Sequence, residues 1–177
     1  MSKQSILLIS HGNFEMDFVE NIAREIGRIF FSPVNIEVGH IDLSEFYDPI
    51  RRQYNGNSLL STVNSSSSNQ YFKNIGLFQV DLFIPILTYI FGQAALNGSV
   101  GIASLYRLRN EHYGMKKDED LLLDRFKKVI IHELGHMFGL IHCQNPNCVM
   151  RSSTYVEDID QKSLNFCVQC RTTMGVT

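Results

Sequence analysis

The chain has 177 residues, 44% of them hydrophobic and 19% charged, a balance that excludes a disordered or fibrous protein. Sixteen Lys and Arg against 18 Asp and Glu leave a net charge of -2, without the basic excess of a dedicated nucleic-acid binder, so no nucleic-acid partner is expected. The length fits one domain over 1–177.

The first ten residues carry one Lys and a short apolar run before the polar His11, Gly12 and Asn13. That is too little for a secretory leader, so a cytoplasmic location is expected. Residues 5–10 read as a short buried strand. Over 14–31 the apolar Phe18, Ile22, Ile26, Ile29 and Phe30 recur at helical spacing, and Pro33 stops that helix. Residues 34–38 alternate apolar and polar as a strand does, so the chain opens in α/β fashion with a right-handed crossover.

Residues 47–74 hold Asp48-Pro49, Asn55-Gly56-Asn57 and serines 65–68, and read as irregular chain whose serine run is a mobile surface loop. Residues 82–91 form the longest apolar stretch, interrupted by Pro85 and about half the roughly 20 residues a membrane span requires. They read as a buried strand leading into a core turn, and no membrane partner is expected. Residues 77–84 and 100–108 are strand candidates on either side of the turn-prone Asn97-Gly98. The second, carried on to Arg109, is either an edge strand for pairing with an extended peptide or a merely structural strand. Over 118–140, Asp118, Glu119 and Asp120 supply N-terminal acids, Leu122, Phe126, Val129 and Ile130 an apolar stripe, and Gly139 a place to end. This is a long helix.

That helix carries the chemistry. His132 and His136 are four residues apart, so both imidazoles leave one helix face and can grip one ion. Glu133, beside them, is placed to hold a water and take its proton. Gly139 permits a sharp change of direction, and His142 can swing back as a third nitrogen ligand, leaving the fourth tetrahedral position open. At this composition a bare pattern of two histidines and one glutamate arises by chance in about 1 chain in 100, and Gly139 and His142 at fixed offsets lower that to roughly 2 in 100,000.

All four cysteines follow at once: Cys143 and Cys148 with four residues between them, then Cys167 and Cys170 after 18 more. Two close pairs joined by a short loop match a closed four-thiolate structural zinc site. Two disulfides are the alternative, disfavoured in a reducing compartment. A structural zinc would hold the end of the chain against the end of the helix and fix His142 through its neighbour Cys143.

The histidine, glutamate and glycine spacing resembles the metzincin clan of zinc peptidases, in which a methionine turn follows beneath the metal; Met150 stands at the corresponding place. A third histidine followed directly by cysteine, then Cys148, Met150 and the distal pair, resembles the archaemetzincin family. The resemblance covers 81–170, including the segment 80–85, Phe91-Gly92 and the segment 104–108. It implies a compact metzincin-like α/β (α+β) fold with a twisted mixed sheet, a long active-site helix and a small zinc-stapled C-terminal part. It also implies a peptidase acting on peptide or protein substrates.

The reading is therefore a zinc peptidase with catalytic Glu133, catalytic-zinc ligands His132, His136 and His142, and structural-zinc ligands Cys143, Cys148, Cys167 and Cys170. A monomer is the favoured state. The competing reading is a zinc-stabilised peptide-binding module that hydrolyses little, against which Glu133 argues. His11, His40 and His112 lie outside the motif; His11 is expected in a turn or at the surface, with a cleft-facing position its alternative. Tyr155 is expected to be an ordinary partly buried tyrosine, with oxyanion stabilisation its functional alternative.

Overall fold

The computed structural model describes residues 5–66 and 70–175. Strand β1 (Ile6–His11), helix α1 (Met16–Phe30) and strand β2 (Val34–Gly39) open the chain, and β1 and β2 pair in parallel from Ile6↔Val34 to His11↔Gly39. Helix α1 turns Val19, Ile22, Ile26, Ile29 and Phe30 inward and stops at Phe31, whose left-handed φ of 51° lets the chain reverse before Pro33.

The irregular stretch expected over 47–74 is ordered by tertiary burial instead. Strands β3 (Tyr47–Asp48) and β4 (Gln53–Asn55) are followed by helix α2 (Gly56–Ser66). Asparagine and serine are weak helix formers, so propensity hides this helix. Its inward residues Leu59 and Val63 pack with Phe78, Leu82, Val100 and Ile102 and outweigh that handicap. Ser65 and Ser66 donate to the carbonyls of Ser61 and Thr62 one turn back, as serine does inside a helix. Serines 67 and 68 of the expected loop lie outside the described residues.

The strand expected over 77–84 is two strands in two sheets, β5 (Lys73–Phe78) and β6 (Leu82–Ile84), with the crossing made at 79–81. Residues 82–91 are likewise not one buried strand. Strands β6 and β7 (Leu87–Ile90) form an antiparallel hairpin around Pro85 and Ile86, and Ile86 is 85% exposed. Strand β8 (Gly92–Ala94) and strand β9 (Val100–Ser104) are joined through Asn97, whose φ is 55°. The segment expected to continue β9 to residue 108 turns into a 3₁₀ helix, Tyr106–Leu108.

The larger sheet has the order β2-β1-β5-β9-β8, parallel except for the antiparallel β8; the smaller has the order β3-β4-β6-β7. Alternation along the strands feeds both faces of the larger sheet. Ile75, Leu77 and Ala103 join α1 and helix α3 (Glu119–Met137) in one core, while Phe78, Val100 and Ile102 meet α2 in the other. Helices α4 (Val156–Gln161) and α5 (Val168–Met174) follow, and Val156, Ile159 and Cys170 enter the α1–α3 core. Among the described residues no helix is long and apolar enough to cross a membrane.

Candidate active site

Helix α3 begins where Asp118 accepts a hydrogen bond from the Leu121 amide at 3.0 Å. Midway, the buried Arg125 guanidinium forks onto Asp160 with two bonds of 2.7 Å and also donates to the Leu108 carbonyl. This ties the helix to the chain that forms the lower side of the site. In its second half α3 buries Val129, Ile130, Ile131, Leu134 and Met137 completely or almost so.

The helix end is held by three separate pieces of chain. The His136 carbonyl accepts the amides of Gly139 at 2.9 Å and Asn97 at 2.8 Å. The Lys73 ammonium donates to the carbonyls of Met137 at 2.8 Å and Gly98 at 2.7 Å, with the rings of Phe72 and Phe138 against it. A cation at the carbonyl end of a helix is favourably placed, and burial lowers the pKa of this one. Gly139 has φ 91°, a conformation an L side chain resists.

These contacts bring together the three histidines predicted from sequence. The ring centroids of His132, His136 and His142 lie 4.7, 5.2 and 5.0 Å apart, and their candidate ligand atoms all fall within 4.8 Å of one another. The Nε2 atoms of His132 and His136 are 3.1 Å apart. Two nitrogens on one tetrahedral zinc would stand about 3.3 Å apart, so the pair fits such an ion. Nδ1 of His132 lies 2.8 Å from the Val149 carbonyl and Nδ1 of His136 lies 2.7 Å from that of Leu140. These carbonyls accept hydrogen bonds from Nδ1–H and so leave both Nε2 lone pairs for a metal. Burial lowers the pKa of all three imidazoles and favours the neutral form a metal needs.

The four predicted cysteines also converge. Cys143 and Cys167 sulfurs are 3.8 Å apart, as are those of Cys148 and Cys170. That is far beyond a disulfide and close to the roughly 3.8 Å separation of two thiolates on one tetrahedral zinc. The amides of Asn145 and Cys167 point at the sulfurs of Cys143 and Cys148, at 3.4 and 3.3 Å. The Cys170 amide lowers the Cys167 thiol pKa to about 7, and burial raises that of Cys148. Both donor sets therefore suit zinc, one with nitrogens at an open surface and one closed in sulfur.

Glu133 and the histidines line a cleft of about 530 Å³, together with residues 87–94 above and 152–155 below. Burial raises the Glu133 carboxyl to about 8, with the Lys162 ammonium pulling the other way; a cation bound at the histidines would pull it further down. The packing is tight where the upper rim meets this side chain. A Cβ on Gly92 would stand 2.8 Å from Glu133 Cγ, so only glycine permits the edge strand to lie there. Met150 is fully buried beneath α3, and a Cβ on Gly135 would come within 2.3 Å of its sulfur.

Several expectations are corrected. The sheet edge beside the cleft is β8, because β9 is flanked by both β5 and β8. His11 is buried and stacked on Phe78 at 4.8 Å, not at the surface, whereas His40 and His112 are exposed. Tyr155 is 63% exposed on the lower rim, not partly buried. Lys162 was not foreseen. Its ammonium, buried 3.5 Å from His132 Nδ1, donates to the Arg151 carbonyl at 2.7 Å, and no spacing signal in the sequence links it to the histidines.

The sequence profile of peptidase family M54 matches residues 30–175. The chain belongs to this family. It is accordingly a zinc metallopeptidase of the archaemetzincin type. The archaemetzincin of Sulfolobus acidocaldarius is 34% identical over 173 residues, covering 97% of this chain and 96% of the relative. The crystal structure of the Methanopyrus kandleri archaemetzincin superposes with a TM-score of 0.86 at 32% identity, covering 98% of this chain and 94% of that one. A zinc-dependent peptidase from Methanocorpusculum labreanum gives 0.85 at 28% identity, covering 96% and 99%. The M54 match embraces both ligand clusters and the whole of α3.

Proposed function

We propose that this M54 peptidase hydrolyses peptide bonds in the cleft above His132, His136 and His142, with Glu133 as general base and the four cysteines holding a second, structural zinc. The observation that carries the reading is the convergence of three imidazoles and the Glu133 carboxyl group at the floor of an open cleft. Zinc at the histidines would supply Lewis acidity, polarising the scissile carbonyl and making water a nucleophile near neutral pH. Glu133 takes the proton of the attacking water and later delivers a proton to the leaving amine. Val149 and Leu140 carbonyls keep the imidazoles aimed, and Met150 under Gly135 supports the helix turn that carries them.

The substrate is a peptide or protein segment in extended form. Strand β8 is the outer strand of the larger sheet beside the cleft, so its free edge offers backbone groups to such a chain. The C-terminal part from about residue 140 serves as a zinc-stapled support for His142 within one folding unit.

The test is profiling of zinc-loaded protein against a mixed-length peptide library, with each cut read by mass, beside Glu133→Ala. Cleavage by the wild type and its loss in the variant are expected. Equal, absent turnover in both would leave a binding module in place of a peptidase. Metal analysis should find two zinc ions per chain, falling to one in His136→Ala and in Cys170→Ser.

A further inference from the structure

The cleft is bridged. Tyr89, on β7 of the upper rim, donates its hydroxyl to the carbonyl of Thr154 on the lower rim at 2.8 Å. Both residues line the same cavity as Glu133 and the histidines, so the bond runs from one side of the cleft to the other.

Each end of the bridge is anchored. Above, the Arg107 guanidinium lies 4.2 Å over the Tyr89 ring and is itself forked onto Asp81 through two bonds of 2.6 Å. Phe91 packs against the same ring in an edge-to-face arrangement at 5.6 Å. Below, Asp158 accepts the amides of Thr154 and Tyr155, both at 2.9 Å, which fixes the peptide whose carbonyl Tyr89 reaches. A continuous path of polar contacts thus runs Asp81, Arg107, Tyr89, Thr154, Asp158.

The bridge stands to one side of the reacting groups. Gly92 is the rim residue packed on Glu133, and Tyr89 precedes it by three positions. The chain bends at Phe91 as it passes from the smaller sheet to the larger, so at about 3.3 Å per residue the bridge stands at most about 10 Å from Gly92, within about three substrate residues. We propose that Tyr89 straps the cleft at this end, so that Tyr89 sets how far a bound peptide extends on one side of the scissile bond. Short peptides and chain ends fit; the middle of a long chain must first break the bond to Thr154. The inference rests on the peptidase reading and sharpens it to a class of substrate.

The test uses one sequence from the library, chosen from the cuts or, if nothing is cut, from the peptides that Glu133→Ala binds. It is synthesised short, lengthened by four residues at its N-terminal end, at its C-terminal end, and at both. In the wild type only one of the two extensions should lower kcat/KM. In Tyr89→Phe, which keeps the ring under Arg107 and loses only the hydroxyl, the long-to-short ratio for that extension should rise about fivefold, the factor that releasing a hydrogen bond of about 1 kcal/mol gives. The same peptides titrated calorimetrically against Glu133→Ala, with and without Tyr89→Phe, separate the two ideas. Length-dependent binding that Tyr89→Phe relieves, without cleavage in the parent protein, keeps the strap and sinks the hydrolysis. Equal tolerance of both extensions, a ratio that Tyr89→Phe does not move, or no binding at any length overturns the strap.

Discussion

The nitrogen cluster and the sulfur cluster stand one residue apart in sequence, at His142 and Cys143, yet they are built on opposite plans. Two of the three histidines come from a single rigid helix, and their side chains face an open cleft. The four cysteines come from two loops and the start of α5, and Cys148 and Cys170 are buried among apolar side chains. A helix already folded can present nitrogens to a substrate. Loops that lack a ladder of their own would need an ion to hold them, and the proposed structural zinc would sit inside them. The difference teaches that the open donor set stands on a self-sufficient scaffold and the closed one where the scaffold is not self-sufficient.

The sharpest way to break this contrast is to remove one ligand from each cluster. Cys167→Ser should lower the melting temperature by about 10 °C or more, because structural zinc contributes folding free energy and each kcal/mol moves a chain of this size by about 2–4 °C. Amide exchange should quicken over 138–175 and not over β1 or β5. His142→Ala should shift melting by no more than a few degrees; equal losses in the two variants would erase the distinction.

Glu133→Ala should lower kcat/KM by about 100- to 10,000-fold, the range for a general base, with melting unchanged or raised because a buried carboxyl is removed. A fall in stability comparable to the Cys167→Ser loss would place Glu133 in the scaffold instead. Gly135→Ala should cost about 1–3 kcal/mol, since the new methyl must displace the Met150 sulfur. Denaturant unfolding reads that cost, and zinc content should drop at the histidines before the cysteines. Lys73→Met should cost about 1–2 kcal/mol through the stranded carbonyls of Met137 and Gly98. Competition with a chromophoric chelator should show the histidine-held zinc loosened and the cysteine-held zinc unaltered.

What was legible in the sequence was local. His132, Glu133 and His136 share one helix, and helical spacing alone puts the two histidines on one face. Cys167 and Cys170 sit in a short knuckle, so their pairing too is a matter of neighbours. The first helix and its flanking strands followed from apolar period, and the family resemblance supplied the mixed sheet. What stayed hidden depends on distant chain. Lys162 reaches His132 across 30 residues, Gly92 matters only because Glu133 packs on it, and Tyr89 finds Thr154 across 65. Helix α2 escaped because its serines and asparagines carry no helical preference, and the burial of Leu59 and Val63 decides its state. The edge strand was misplaced for a related reason. Residues 92–94 are too few to announce a strand, whereas the buried 100–104 announces itself strongly and lies inside the sheet.

The bend at Gly139 can be restated as a matter of reach. Had α3 continued, His142 would stand six residues beyond His136, about 9 Å further along the axis and some 240° around it, on a face turned away from the cleft. No rotamer change recovers such a displacement. One backbone angle of 91° converts a histidine out of range into a neighbour of the other two. An L residue there would have to absorb about 1–2 kcal/mol in the left-handed conformation, and that strain would fall on the third ligand alone. The single α-carbon without a side chain thus decides whether two imidazoles or three converge on one point.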